Sequence, residues 1–177
     1  MRDPADEPRT LLLIGYGNTS RRDDGVAADI LEGLLARLGM GAEAIGGEDD
    51  IDASAGLKVL FLHQLGPELA ELAAQYATVV FIDAHVEGSG WEPLSWQPVS
   101  PEVEAGMIGH HLKPGVVVAL AEKLFGRRPD AYLLSVLGSD FDFGETLSSE
   151  TSELAGRAIE RLLQLVSERG LLPGQGC

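Results

Sequence analysis

Residues 11–26 read Leu11-Leu12-Leu13-Ile14-Gly15-Tyr16-Gly17-Asn18-Thr19-Ser20-Arg21-Arg22-Asp23-Asp24-Gly25-Val26. An apolar strand is followed by a glycine-hinged turn, two adjacent carboxylates and the first turn of an amphipathic helix. This order is typical of α/β folds, which place reactive groups at the carboxyl end of a strand. The two aspartates therefore need an explanation from the rest of the chain.

Strand and helix patterns alternate through most of the sequence. We predict strands at 11–15, 57–62, 78–83 and 131–137, a short edge strand within 87–101, and helices at 26–38, 67–76, from Pro114 and from Ser148 or Ser149 to Gly170. The stretch from Gly46 to Gly56 consists mainly of small and acidic residues, which predicts a solvated loop. The pattern predicts a three-layer α/β fold, with a mostly parallel twisted sheet and helices on both faces.

Length, charge and cysteine content limit the class of protein. A chain of 177 residues with 45% hydrophobic content predicts one α/β domain at 10–170, with tails at 1–9 and 171–177. The net charge of −15 argues against binding to nucleic acid or to an anionic membrane. Three features favour a cytoplasmic protein. The chain has one cysteine, Cys177, its first residues are polar and unlike a secretory leader, and it has no apolar run long enough to span a membrane. Nothing demands an oligomer, so we expect a monomer.

The glycine turn resembles the start of a dinucleotide-binding fingerprint, but it lacks the third glycine, where Ser20 stands. Asp23 and Asp24 occupy the place where phosphate would bind, and their charge disfavours a nucleotide. A structural explanation is that one acid caps the helix and both favour its positive end, at roughly 0.3–1 kcal/mol each. Two adjacent carboxylates also call for a cation between them, either an arginine (Arg21, Arg22) or a metal ion.

Other polar residues are predicted to meet the acid pair. Asp83 is predicted to end a buried strand, and His110 and His111 immediately precede a predicted helix. Both positions are expected to face the crevice at the carboxyl ends of the strands. The structural alternatives are that Asp83 binds backbone amides and that the histidines are solvent-exposed or packed. Two carboxylates and one imidazole suit Ni²⁺, Zn²⁺, Mn²⁺ or Co²⁺ in an open site. His85 is a candidate partner for Asp83, whereas His63 is predicted to be an ordinary loop residue.

The sequence is similar to the [NiFe]-hydrogenase maturation endopeptidases over roughly residues 10–166. Five segments carry the resemblance: Ile14-Gly15-Tyr16-Gly17-Asn18 with Asp23-Asp24-Gly25-Val26, Phe81-Ile82-Asp83-Ala84, His110-His111-Leu112-Lys113-Pro114, the segment from His63 to Leu69, and the segment from Phe141 to Ser148. The resemblance implies that fold and an activity that removes a carboxy-terminal extension from the hydrogenase large-subunit precursor after nickel insertion. Arg22 and Gly109 depart from residues common in the family, and the stretch from Gly46 to Gly56 exceeds its usual length.

The resemblance also implies which residues act. The metal-contacting positions of the family correspond to Asp24, Asp83 and His110. The resemblance favours His110 over His111, because His110 lies four residues before Pro114, which is the spacing that the family shows. Asp23 is then expected to cap the helix, and Gly15, Gly17 and Gly25 allow the close bend that aims Asp24 into the crevice. Nickel is expected to arrive with the precursor, and a carboxylate or the metal would activate water. The alternatives are a non-catalytic nickel-binding maturation chaperone and a different peptidase or amidase on the same fold.

Overall fold

The structure is a computed structural model that describes residues 9–41, 45, 50–102 and 112–174. Its elements are β1 (Arg9–Tyr16), a 3₁₀ helix (Arg22–Gly25), α1 (Val26–Arg37), β2 (Ile51–Ser54), β3 (Leu57–Leu62), α2 (Leu69–Ala73), β4 (Tyr76–His85), β5 (Leu94–Pro98), α3 (Pro114–Phe125), β6 (Asp130–Leu137) and α4 (Ser149–Glu168). Within the described ranges, no helix is long and apolar enough to cross a membrane.

The strands form one six-stranded sheet in the order β2-β3-β1-β4-β6-β5. The four central strands are parallel, whereas β2 and β5 pair antiparallel at the two edges. The apolar run Leu11–Ile14 in β1 is fully buried, as expected for a central parallel strand covered on both faces. The predicted α/β class, the mostly parallel sheet and the short edge strand after β4 are confirmed.

Strand alternation divides the core into two layers on opposite faces of the sheet. Leu11 and Leu13 of β1 pack in a cluster with buried residues of α1 and α4. Leu12 and Ile14 point the other way, into a cluster with α2 and α3. The sheet is therefore covered on both faces, as the sequence predicts.

The predicted solvated loop is wrong for residues 51–54, which form the edge strand β2. Lys58 of the neighbouring strand is only 6% exposed, and its Nζ lies 2.6 Å from Asp50 and 3.3 Å from Asp52. The acids that suggested a solvated loop instead flank a buried ammonium group, which would be costly without paired charge. Residues 46–49 lie outside the described part of the chain.

Other boundaries also differ from the prediction. The helix predicted at 67–76 is shorter, because α2 spans Leu69–Ala73 and Tyr76 is the first residue of β4, where it pairs with Arg9 of β1. β4 runs from Tyr76 to His85, since its ladder with β6 continues to the pair His85 and Leu137, so Asp83 is not its last residue. Leu171, assigned to a tail, is 7% exposed, and its carbonyl oxygen accepts a hydrogen bond from Ser54 at 2.7 Å. Burial of this leucine against the core fixes the chain beyond α4.

Candidate functional site

A crevice opens at the carboxyl ends of β1 and β4. α1 follows β1 on one face of the sheet, and α3 lies on the other face in the connection from β4 to β6. This topology leaves a cleft between two strand ends. Two adjoining cavities of about 300 and 1030 Å³ lie there, and both are lined by Tyr16, Arg21, Asp24 and Asp83. The structure thus brings the two predicted acids, Asp24 and Asp83, to one place.

The glycine turn positions Asp24. Gly17 has φ of +146°, a conformation that favours glycine, and a Cβ at this position would overlap the backbone carbonyl oxygen of Asp24. The backbone N–H of Asn18 donates to the Asp24 carboxylate at 3.1 Å. The chain therefore folds back on itself closely enough to hold the carboxylate over the end of β1.

Asp83 lies in an environment that opposes its ionisation. Burial is the main cause, and together with the nearby charge of Asp24 it raises the pKa of Asp83 to about 7. A hydrogen bond from the Ala84 backbone N–H, at 2.7 Å, and one from the Tyr16 hydroxyl act in the opposite direction. The electrostatic effect of Asp24 on Asp83 is further evidence that the two carboxylates are neighbours.

The structure contradicts the prediction that Asp23 caps α1. Gly25 occupies the N-cap position of α1, where no side-chain capping hydrogen bond is made. The fully buried Asp23 carboxylate instead faces the loop between β6 and α4. It accepts hydrogen bonds at 2.7–2.8 Å from the backbone N–H groups of Ser139, Asp140 and Ser148, and at 2.8–2.9 Å from the hydroxyls of Ser148 and Thr151.

The charge state of Asp23 follows from these contacts. Burial alone would raise its pKa, but the hydrogen bonds from Ser148, Asp140 and Ser139 outweigh burial and lower it. The carboxylate is thus ionised and ties the glycine turn to the amino terminus of α4. Asp23 serves to fix the turn, and Asp24 is the member of the pair that reaches the cavities.

The arginines beside the acid pair have other partners. Arg22 Nη1 lies 2.9 Å from the Asp140 carboxylate, and Arg21 Nε donates to the Phe141 carbonyl oxygen at 3.2 Å. Among the described residues, no ion pair joins either arginine to Asp23 or Asp24. The sequence left open whether an arginine or a metal ion neutralises Asp23 and Asp24. Neutralisation by an arginine is not seen among the described residues of this turn.

The predicted histidine ligand cannot be placed, because His110 and His111 lie outside the described residues. His63, predicted to be ordinary, lines the smaller cavity together with Asp24 and Asp83. In the described part of the chain, no three His, Cys, Asp or Glu side chains are grouped closely enough to hold a metal ion. The described residues bring together two of the three predicted ligands, Asp24 and Asp83, and a metal-binding role for each stays a prediction.

His85 lines the larger cavity and does not take the predicted part of a partner for Asp83. Its Nδ1 lies 2.8 Å from Ser135 Oγ, and the imidazole is in edge contact with Trp91 at 5.4 Å between ring centroids. Its Nε2 is buried without a hydrogen-bond partner among the described residues. Burial lowers the pKa of His85, which favours the neutral ring.

Several solved structures are similar to this one, and three endopeptidases are among them. The hydrogenase maturating endopeptidase HybD from E. coli matches with a TM-score of 0.64 and 18% identity, over 92% of this chain and 94% of that chain. An endopeptidase from Escherichia coli, determined in solution, gives 0.61 and 19%, over 92% and 94%. The [NiFe] hydrogenase maturation protease HybD from Thermococcus kodakarensis gives 0.58 and 19%, over 88% and 98%.

No protein-family model matches the chain, and no curated protein matches it significantly. The evidence from known proteins is therefore structural, at identities of 18–19% for these three structures. Likeness at that level, over nine-tenths of the chain, establishes a common architecture and leaves activity to be argued from the site. The chain has the fold of the hydrogenase maturation endopeptidases.

Proposed function

We propose that this protein is an endopeptidase that removes a carboxy-terminal extension from the large-subunit precursor of a [NiFe]-hydrogenase after nickel insertion. The observation that carries the proposal is the convergence of Asp24 and Asp83 on one crevice, from the turn after β1 and the carboxyl end of β4. The fold shared with hydrogenase maturation endopeptidases supports the same assignment.

The paired carboxylates explain how the precursor would be recognised. Nickel held in the precursor is part of the substrate, and carboxylate and imidazole groups are suitable ligands for it. Asp24 and Asp83 would contact this nickel with His110 as the third ligand. Bound nickel would replace the proton that burial favours on Asp83, and it would relieve the repulsion between the two acids.

The same contact would position the bond to be cut. Docking through nickel holds the carboxy-terminal segment of the precursor beside the carboxylates, and such positioning removes much of the entropic barrier to reaction. Water attack on the peptide carbonyl then needs a base or a Lewis acid, and either a carboxylate or the substrate nickel can supply it. A precursor without nickel would not dock, so nickel insertion is checked before cleavage.

The direct test compares nickel-loaded and nickel-free precursor. Purified protein is incubated with each, and the mass of the precursor is followed by intact-protein mass spectrometry. We expect loss of a carboxy-terminal fragment from the nickel-loaded precursor alone. Binding without any mass loss would instead indicate a nickel-binding chaperone, and cleavage of nickel-free peptides would indicate another peptidase or amidase.

Individual substitutions test the residue roles. Asp24→Ala, Asp83→Ala and His110→Ala should each abolish processing and leave the circular dichroism spectrum unchanged. His111→Ala is the matched control for His110, and Asp29→Ala, which removes an exposed acid of α1, is the control for the aspartates. Full activity in any one of the first three variants excludes that residue from the site.

A further inference from the structure

The larger cavity has a polar floor, made by one face of the sheet. Asp83 and His85 lie two residues apart on β4, so their side chains share a face. Ser135 of β6 pairs with Asp83, and Ser95 of β5 pairs with Ser135, which places both serines on that same face. Both serines are buried, and Ser135 is the one that lines the cavity together with Asp83 and His85.

This polar composition begins where the cavity opens. Farther back on the same face of β4, Val79 and Phe81 are fully buried and apolar, as a strand beneath helices normally is. Packing against α2 and α3 thus explains why Val79 and Phe81 are apolar. It does not explain why the polar residues Asp83, His85 and Ser135 lie on the same face. A ligand in the cavity provides that reason, since specific sites combine apolar walls with a few placed polar groups.

His85 is the member of this floor with an unused hydrogen-bonding atom. The residue is 8% exposed, and its Nδ1 is engaged by Ser135 Oγ at 2.8 Å. Its Nε2 is buried and has no partner in the part of the chain that the structure describes. Buried polar atoms are nearly always paired, so an orphan atom on a residue that lines a cavity indicates a group that a ligand satisfies.

The shape and lining of the cavity fit a polypeptide. It is lined by Asp24 and Asp83 and also by His85, Trp91 and Gln97, and its volume is about 1030 Å³. Apolar side chains and the side-chain amide of Gln97 both line its wall, which suits a chain that carries both side chains and main-chain amides. A substrate cut beside Asp24 and Asp83 would need a continuous groove of this kind for the residues next to the cut bond.

We propose that His85 is a substrate-binding residue whose Nε2 hydrogen bonds to the main chain of the precursor beside the scissile bond. Ser135 is the positioning residue, since its hydroxyl fixes the orientation of the imidazole ring through Nδ1. This inference rests on the proposed function, because the occupant of the cavity is the precursor. Its experiments are therefore chosen to fail separately from that function.

Steady-state processing of nickel-loaded precursor by full-length His85→Ala and His85→Gln tests the contact. Loss of one hydrogen bond to a buried partner is expected to raise KM about tenfold in His85→Ala, with kcat within about twofold. His85→Gln should recover most of the wild-type KM, because its side-chain amide places a hydrogen-bonding group near the position of Nε2. If His85→Ala does not fold, His85→Gln against wild type decides, and a KM raised more than tenfold there overturns the proposal.

Ser135→Ala tests the positioning role through non-additivity. Alone it should raise KM about threefold, and in the His85→Ala background it should have no effect, since residues that act through one another are coupled. Ser54→Ala removes a serine hydroxyl on β2, at the far edge of the sheet, and should leave KM unchanged. Additive effects of Ser135 and His85 would overturn the positioning role.

A binding measurement separates this inference from the proposed function. Fluorescently labelled nickel-loaded precursor is titrated with wild type and with His85→Ala, and its cleavage is followed in the same samples. Wild-type binding without cleavage contradicts the endopeptidase, and the His85 contact is then judged by about tenfold weaker binding in the variant. If wild type cleaves the precursor and His85→Ala has the same KM and the same affinity, the His85 contact alone is overturned. If wild type neither binds nor cleaves the precursor, the His85 contact and the endopeptidase function are both overturned.

Discussion

Asp83 makes the stability of the folded protein depend on pH. Its pKa rises from 3.8 to about 7 on folding, chiefly because of burial, so the folded state holds this proton more tightly than the unfolded state. The stability that the protonated carboxyl contributes is complete below the unfolded value. It is lost as pH rises through about 7. The shift corresponds to at most roughly 4 kcal/mol across this window.

Asp83→Asn isolates this contribution, because an amide has the shape of the carboxyl group without its titration. Urea unfolding of both proteins at about pH 4.5 and about pH 7.5 should show that the variant gains stability relative to wild type at the higher pH. The difference between the two proteins cancels the other titrating groups. A difference that is the same at both pH values would contradict the raised pKa.

Asp23→Ala is expected to destabilise the protein by roughly 3–5 kcal/mol at pH 7. The substitution leaves the backbone N–H groups of Ser139, Asp140 and Ser148 without their buried acceptor, which is costlier than the loss of an exposed contact. Chemical denaturation measures the change. Asp29→Ala, an exposed acid in α1, is the matched control and should stay within about 0.5 kcal/mol of wild type. Equal effects of the two substitutions would contradict the anchoring role of Asp23.

The turn between β1 and α1 is an element whose geometry depends on one glycine. In Gly17→Ala, the added Cβ meets the Asp24 carbonyl oxygen at a positive φ, so the turn must move and take the Asp24 carboxylate with it. We expect a loss of about 1–3 kcal/mol of stability and about a hundredfold loss of precursor processing. Denaturation and processing assays of the same preparation measure both.

Gly156→Ala is the matched control for the turn. Gly156 lies in the middle of α4, where an added Cβ meets nothing within 4 Å. The substitution should stabilise the protein by roughly 0.5–1 kcal/mol, because alanine is the better helix former, and it should leave processing unchanged. Processing by Gly17→Ala at the wild-type rate would show that the turn does not aim Asp24.

Elements with a strong periodic pattern could be predicted from the sequence, and elements made by tertiary pairing could not. The apolar runs of β1, β3, β4 and β6 carry their own signal. In contrast, Ile51–Ser54 has no such signal, since it is a strand only by virtue of its pairing with β3 and of Lys58 beside it. The partners of Asp23 lie more than a hundred residues away in the chain, so the local pattern suggested a helix cap in their place.

The candidate site was predictable in part for the same reason. Asp24 and Asp83 follow apolar strands, and the rule that parallel strand ends meet at one edge brings them together. His63 lies in the lining of the smaller cavity, and its position offered a signal for that location, because it comes directly after β3, which neighbours β1 in the sheet. The environment of His85 depends on Ser135 in a later strand, and no spacing in the sequence reveals that contact.

At the scale of the whole molecule, one sheet carries two separate apolar layers. The layer with α1 and α4 supports the Asp23 anchor, and the layer with α2 and α3 adjoins the cavities. Every central strand contributes alternate residues to both layers. If the helices of one layer separate from the sheet, the strands that also form the other layer lose half of their packing. We therefore expect the described sheet and helices to unfold cooperatively.

The two tryptophans of the chain test this expectation, because each reports on a different face. Trp91 contacts His85 beside the larger cavity, whereas Trp96 stacks on Tyr132 at 5.2 Å and lies beneath Arg161 of α4. Trp96→Phe leaves Trp91 as the probe, and Trp91→Phe leaves Trp96. In each variant, the fluorescence transition in urea should coincide with its own circular dichroism transition. A fluorescence midpoint that differs from the circular dichroism midpoint in either variant would show that one face opens while the other stays folded.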